Sequence, residues 1–194
     1  ETPVHDARNR FLQTLIADVR ALDPSRLVSA AMDKKPGQET ADDNRNHVIV
    51  NDPIGAHLDV LAMNRYDGWY GDLTLAEIDT VRWSSVYDKP IVLSEFGADA
   101  LHGYRADKTI RWSEDYQAEM YRQFIKMTAR IPNFSGMSPW ILKDFRSPRR
   151  YHGRFQNYWN RKGLIDPTGQ RKAAFWTLRE HYLKLRAEDG LPPR

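Results

Sequence analysis

Four short apolar runs alternate with stretches whose large apolar residues recur at helical spacing, and this alternation constrains the fold more than any other feature of the chain. The runs are residues 26–31, 60–64, 91–95 and 134–142. Between them, Phe11, Leu15, Val19 and Leu22 share one helical face before Asp23-Pro24 stops the turn. Leu75, Ile78 and Trp83 predict a helix over residues 72–86, and Trp112, Tyr116, Met120 and Phe124 recur every four residues. Phe175, Leu178, Tyr182 and Leu185 form a last stripe behind Thr168-Gly169. Residues 32–55 are rich in Asp, Asn, Lys and Gly and read as a long surface excursion.

Strands that alternate with helices define βα units, which assemble into a parallel sheet with right-handed connections. Four units in 194 residues fall short of the roughly 250 that a complete eight-stranded barrel uses. The expectation is an α/β chain that supplies about the last four βα units of a (β/α)8 TIM barrel, with residues 1–187 as that half and 188–194 as a polar tail. A small open α/β sheet is the alternative. No G-x-G-x-x-G and no G-x-x-x-x-G-K-[ST] follows any run, which argues against nucleotide binding.

Composition narrows the function classes. With 41% hydrophobic and 28% charged residues, the chain reads as soluble and globular. No apolar run approaches the roughly 20 residues that cross a bilayer, so no membrane partner is expected. Cysteine is absent, which removes disulfides, thiolate metal sites and a thiol nucleophile while leaving either redox compartment open. The six histidines show no H-E-x-x-H or i, i+4 pairing, so no catalytic metal and no cofactor are expected. The start at Glu1-Thr2-Pro3 has no signal-peptide pattern and reads as a segment beginning inside a longer protein, of unassigned location.

The net charge of +3 is scattered rather than drawn into a phosphate-binding stripe, so nucleic acid is not an expected partner. Its densest cluster, Arg146 to Arg154, lies in a Pro148- and Gly153-containing loop and suits either a solvated loop or a positive field facing a small anion.

Chemistry concentrates at the ends of the runs. Ile91-Val92-Leu93-Ser94 ends on Glu95 and turns at Gly97, which places a carboxylate where barrel enzymes gather their active groups. A solvated strand-end Glu is the plainer reading of that run taken alone. Asn64, Tyr66, Trp69 and Tyr70 mix amide, phenol and indole groups in one loop. Carbohydrate sites use that mixture, because aromatic faces cover the apolar side of a sugar while amides and phenols bond its hydroxyls. Trp140 follows in the last run, and Asn160-Arg161-Lys162-Gly163 after it.

Taken in order, Glu1-Thr2-Pro3, Leu22-Asp23-Pro24-Ser25-Arg26, Asn64-Arg65-Tyr66, Gly68-Trp69-Tyr70, Ser94-Glu95-Phe96-Gly97-Ala98-Asp99, Trp112-Ser113-Glu114 and Asn160-Arg161-Lys162-Gly163 resemble glycoside hydrolase family 2, and within it the β-glucuronidases. The resemblance implies retaining hydrolysis with Glu95 as nucleophile and Glu1 as acid/base. It further implies that Tyr66 steadies Glu95, that Trp140 forms a sugar platform, and that Asn160 and Lys162 hold a uronate carboxylate. Asn64 and Tyr70 are further candidates for the substrate. The implied partner is a carbohydrate, most simply a uronic acid glycoside, with a homo-oligomer possible and the preceding part of the protein required. Gln156, Asn157 and the Arg146-Ser147-Pro148-Arg149-Arg150 loop depart from the family pattern and keep β-galactosidase or β-galacturonidase open. A non-catalytic sugar-binding module and an inactive half-barrel are the other readings.

Overall fold

The computed structural model describes residues 3–32, 46–71 and 73–190. The chain divides into two compact units: one is residues 1–64, 81–94 and 130–137, the other residues 65–80, 95–129 and 138–194.

The first unit holds the parallel sheet. Helix α1 (Pro3–Leu22) leads into β1 (Ser29–Met32), and β2 (His47–Val50), a 3-10 helix (Pro53–His57), β3 (Val60–Asn64), β4 (Arg82–Ser85), β5 (Ile91–Glu95) and β6 (Phe134–Met137) complete it. Strand order is β1-β3-β5-β6, the chain order of the predicted βα strands, and the β1/β3 and β5/β6 pairs are parallel. Ile91 and Leu93, which share one face of β5, and Leu61 of β3 are fully buried. Charged side chains close the connections. Asp59 accepts from the Arg20 guanidinium at 2.9 Å and from the Val28 amide at 2.8 Å, and the first of these holds its carboxyl below the usual range. Lys89 donates to the carbonyls of Gly55, Ala56 and Leu58 and so satisfies the end of the 3-10 helix.

Four expectations fail here. The stretch read as one helix over residues 72–86 contains only a single turn, α2 (Leu75–Ile78), and then strand β4. β4 pairs in parallel with β2, which lies in the part read as surface excursion. Trp83 thus enters the core from a strand, and the partner that fixes it there is distant in sequence. On α1 the helix forms as expected, but Ile16 is its buried residue while Phe11, Leu15, Val19 and Leu22 are exposed. The last predicted strand is also shorter, ending at Met137 rather than at residue 142.

The second unit contains α2, α3 (Glu114–Thr128), the antiparallel pair β7 (Phe145–Arg146) and β8 (Trp159–Asn160), and α4 (Ala173–Glu188). Trp112 does not join α3. Ser113 caps the helix by accepting from the Tyr116 amide at 3.0 Å, and Trp112 takes a positive φ just outside it. Met120, Tyr121, Phe124 and Met127 bury the inner face of α3, with Phe124 stacked on Phe96 at 4.9 Å.

Buried charge organises this unit. Lys172 is fully buried, and its ammonium donates to Asp144 at 2.8 Å and to the carbonyls of Ala100 and Arg161. Asp144 accepts in addition from the Gly163 amide at 2.8 Å. Burial raises the Asp144 carboxyl and lowers the Lys172 ammonium from their ordinary values, in each case against the attraction of the partner. Such a pair adds little net stability but leaves a costly charge when one member is removed. Glu114, also buried, accepts from the Gly103 amide at 2.6 Å and from the Ala173 amide at 2.7 Å, where α4 begins without a side-chain cap of its own.

Lys172→Met should therefore cost about 3 to 5 kcal/mol, read as a fall in the urea midpoint. Adding Asp144→Asn should restore part of that loss. Equal midpoints for the wild type and Lys172→Met would refute the assignment.

Candidate functional site

The site belongs wholly to the second unit and starts from a turn. After Arg65, whose amide donates to the Glu95 carbonyl at 2.8 Å, the chain folds over Tyr66 so that the amides of Trp69 and Tyr70 both donate to the Tyr66 carbonyl. Gly68 makes that turn at φ +76°, where an added Cβ would lie 2.9 Å from the Ile78 side chain. Arg65 and Asp67 close the loop as a two-pronged ion pair at 2.6 and 3.1 Å. Tyr66, Trp69 and Tyr70 are thereby set on a rigid arc.

Glu95 ends β5, and its Oε2 accepts from the Tyr66 hydroxyl at 2.8 Å. Burial, and then that hydrogen bond and the Glu95 charge, push the Tyr66 phenol far above its ordinary value, so it donates throughout the neutral range. Gly97, two residues on, takes φ +145°, and a side chain there would meet the Trp140 carbonyl at 2.7 Å. The Trp140 amide in turn donates to the Phe96 carbonyl at 2.9 Å, which fixes the indole close behind the Glu95 strand end. Phe145 meets the Trp140 ring edge-on at 6.0 Å.

Lys162 approaches from β8. It is only 1% exposed, and its ammonium donates to Asp99 Oδ2 at 2.7 Å and to the Tyr70 hydroxyl at 2.8 Å. The rings of Tyr66, Trp69 and Tyr70 lie 5.9, 5.4 and 4.9 Å from the same nitrogen, a cage of π faces around a cation. Asp99 is fully buried and accepts the Arg161 amide at 2.6 Å as well, so one carboxylate sets both the charge and the backbone of this turn. Asn160 Oδ1 accepts the Lys162 amide at 3.1 Å, which orients the Asn160 side chain and leaves its Nδ2 as the donor.

These groups meet in a cavity of about 510 Å³ lined by Tyr66, Tyr70, Glu95, Trp140, Asn160 and Lys162, together with Phe145, Ser147, Arg149 and Arg150. The size is that of a small-molecule cleft. Six of the eight sequence candidates share this lining. Asn64 does not; its side chain accepts from Ser94 at 2.7 Å within the first unit. Glu1 lies outside the described residues. Among the described residues, no group of three or more His, Asp or Glu could hold a metal ion, and no helix is long and apolar enough to cross a membrane.

Sequence reasoning assigned no role to Asp99, although it stands four residues after Glu95; its function depends on a partner 63 positions away. Arg149 and Arg150 belong to the basic cluster that the sequence offers either as a solvated loop or as a positive field facing a small anion, and both line the cavity. The cluster itself was the available signal.

A carboxylate at the end of a parallel strand, a tyrosine bonded to it, and a caged lysine beside an amide share one cleft, at the strand ends where (β/α)-barrels gather their functional groups. The chain belongs to glycosyl hydrolases family 2, matching the model of its TIM barrel domain over residues 5–187. It is 34% identical to the β-glucuronidase of Canis lupus familiaris over 93% of the chain, and 30% identical to that of Homo sapiens over 94%. The chain spans 27% of the length of each. Among solved structures, the β-D-glucuronidase of Dictyoglomus thermophilum aligns with TM-score 0.73 at 26% identity, covering 95% of this chain and 30% of that one. A β-galacturonidase of Eisenbergiella tayi bound to galacturonate shares the fold, with TM-score 0.71 at 23% identity over 91% of this chain and 30% of its own.

Comparing ultraviolet alkaline titrations of the wild type and Tyr66→Phe should show no tyrosinate lost with Tyr66 at the pH where free tyrosine is half-ionised. A tyrosinate that disappears with the substitution at that pH would contradict the Tyr66–Glu95 bond.

Proposed function

We propose that the protein carrying this chain is a retaining glycoside hydrolase that cleaves terminal β-D-glucuronides. The observation that supports it most is the single cavity in which a tyrosine-bonded carboxylate, Glu95, faces the Asn160 and Lys162 side chains. A glucuronide offers two matching features, an anomeric carbon for the carboxylate and a C6 carboxylate for a cation plus an amide donor. The similarity to β-glucuronidases supports the same substrate class. Residues 1–187 are proposed as the carboxyl-terminal half of the barrel.

In this reading Glu95 attacks the anomeric carbon while Glu1 gives its proton to the departing oxygen. The Glu95–sugar ester forms as the bond to the leaving group breaks. Water then attacks the same carbon, Glu1 takes its proton, and Glu95 leaves as the carboxylate, so configuration is retained. Such a pair works at a separation of roughly 5 to 5.5 Å. The Tyr66 hydroxyl holds Glu95 in line and draws on its charge as the ester forms. Trp140 offers an apolar face to the sugar ring.

Lys162 is a selective group because its charge is already half committed. Asp99 balances it, so a neutral sugar leaves an intact pair, while a uronate gains the ammonium, the Tyr70 hydroxyl and the Asn160 amide at one oxygen pair. Galacturonate would present the same carboxylate with an inverted C4 hydroxyl.

In the intact protein, Glu95→Gln should lower kcat on an aryl glucuronide by on the order of 10⁴-fold or more, and a fluorinated glucuronosyl donor should label Glu95 of the wild type. Tight binding without turnover or labelling would instead favour a sugar-binding module. Lys162→Ala should lose glucuronide activity selectively, by about 10²-fold relative to a β-galactoside, with a thermal melt to show that both proteins are folded. An equal fall on the two substrates would sink the uronate assignment.

A further inference from the structure

Lys172 lies outside the lining of the cleft, yet what it holds leads back there. Its ammonium is fully buried and uses all three hydrogens, on Asp144 Oδ1 at 2.8 Å, the Ala100 carbonyl at 2.7 Å and the Arg161 carbonyl at 2.8 Å. Ala100 directly follows Asp99, and Arg161 directly precedes Lys162. The lysine therefore joins the two backbone segments whose side chains make the 2.7 Å Asp99–Lys162 pair.

Those segments are tied by neutral bonds as well. The Ala100 amide donates to the Arg161 carbonyl at 3.0 Å, and the Arg161 amide donates to Asp99 Oδ1 at 2.6 Å. From α3, buried Gln117 donates to the Ala98 carbonyl at 2.8 Å and reaches the Lys162 and Gly163 carbonyls at 3.4 and 3.3 Å. What Lys172 adds is charge. Two carbonyl oxygens and a carboxylate converge on one point away from water, and their negative ends repel one another unless a cation stands between them. With a neutral side chain in its place the Ala100 and Arg161 carbonyls are driven apart, and Asp99 moves with one and Lys162 with the other.

The uronate end of the site is sensitive to that spacing. Lys162 spends one hydrogen on Asp99 and one on Tyr70, so the third is the one aimed at a ligand, and its direction follows from where the Asp99 carboxylate stands. Glu95 is held through the Tyr66 hydroxyl and the Arg65 amide, by bonds that do not pass through Lys172.

We propose that Lys172 is a positioning residue for uronate recognition, fixing the Lys162 ammonium in the cleft through the carbonyls of Ala100 and Arg161 without touching the sugar. This rests on the uronate reading of Lys162.

The test uses the intact protein and the double variant Lys172→Met/Asp144→Asn, which removes both buried charges while the amide oxygen at position 144 can still accept from Gly163. Competitive inhibition of aryl β-D-glucuronide hydrolysis is measured with D-glucuronate and with D-glucuronamide, its neutral counterpart at C6. The inhibition constant for glucuronate should rise about tenfold more than that for glucuronamide, even though the urea midpoint recovers part of the loss seen in Lys172→Met. A purely structural lysine would raise both constants equally or leave both unchanged, and either result with an active wild type would overturn the role of Lys172 alone. Hydrogen exchange on the wild type gives a second reading that needs no variant to fold. The Ala100 and Arg161 amides should exchange as slowly in the free protein as with glucuronate bound; amides that exchange freely until glucuronate is added would mean that the ligand orders the segment, and would overturn the proposal too. A wild type that hydrolyses no glucuronide would overturn the glucuronidase reading and this inference with it.

Discussion

Two lysine ammonium groups with almost no access to water set the terms for the second unit. A buried cation must have a buried anion, and the chain supplies Asp99 for Lys162 and Asp144 for Lys172. The two pairs are not independent. Arg161 directly precedes Lys162, with its amide on Asp99 and its carbonyl accepting from Lys172, so the segment bearing Asn160 and Lys162 is pinned from both sides. Gly163 follows where no side chain fits, because an added Cβ would collide with the Asp144 backbone. The geometry of this wall of the cavity follows from where these charges had to be satisfied.

Seen from the cavity, the same economy separates two jobs. Asp99 removes the cost of keeping Lys162 dehydrated while no ligand is present, and the Tyr70 hydroxyl and aromatic cage hold its direction. Glu95 is oriented by a neutral donor instead. Tyr66 gives it one hydrogen bond of 2.8 Å and no opposing charge. One carboxylate is paired with a buried lysine, and the other accepts from a neutral phenol.

Much of this was legible in the chain and some could not be. β3 and β5 announce themselves as apolar runs with turn residues at both ends, and α3 and α4 form where helical periodicity places them, save that Trp112 stays outside α3. β2 and β4 do not. Arg82-Trp83-Ser84-Ser85 has neither alternation nor an unbroken apolar run, and it becomes a strand only because β2 lies beside it, 35 positions back in register at His47 and Arg82. The exposed stripe on α1 shows the converse, since spacing reveals that a face is apolar without saying what covers it. At the site, Glu95, Tyr66, Tyr70, Trp140, Asn160 and Lys162 stood out by residue type and position. Asp99 did not, because an aspartate after a strand is ordinary turn chemistry until its partner is known.

The bond from Glu114 to the first turn of α4 has a bearing on how this unit is assembled. Lys172 occupies the capping position of α4, but its side chain is directed into the core, and the Ala173 amide is satisfied by a carboxylate from the start of α3. A peptide with the sequence of α4 alone lacks that acceptor. The helix nucleus, the costliest part of any helix to form, is in this case held by a residue 59 positions earlier, so the first turn of α4 draws its stability from a tertiary contact with α3.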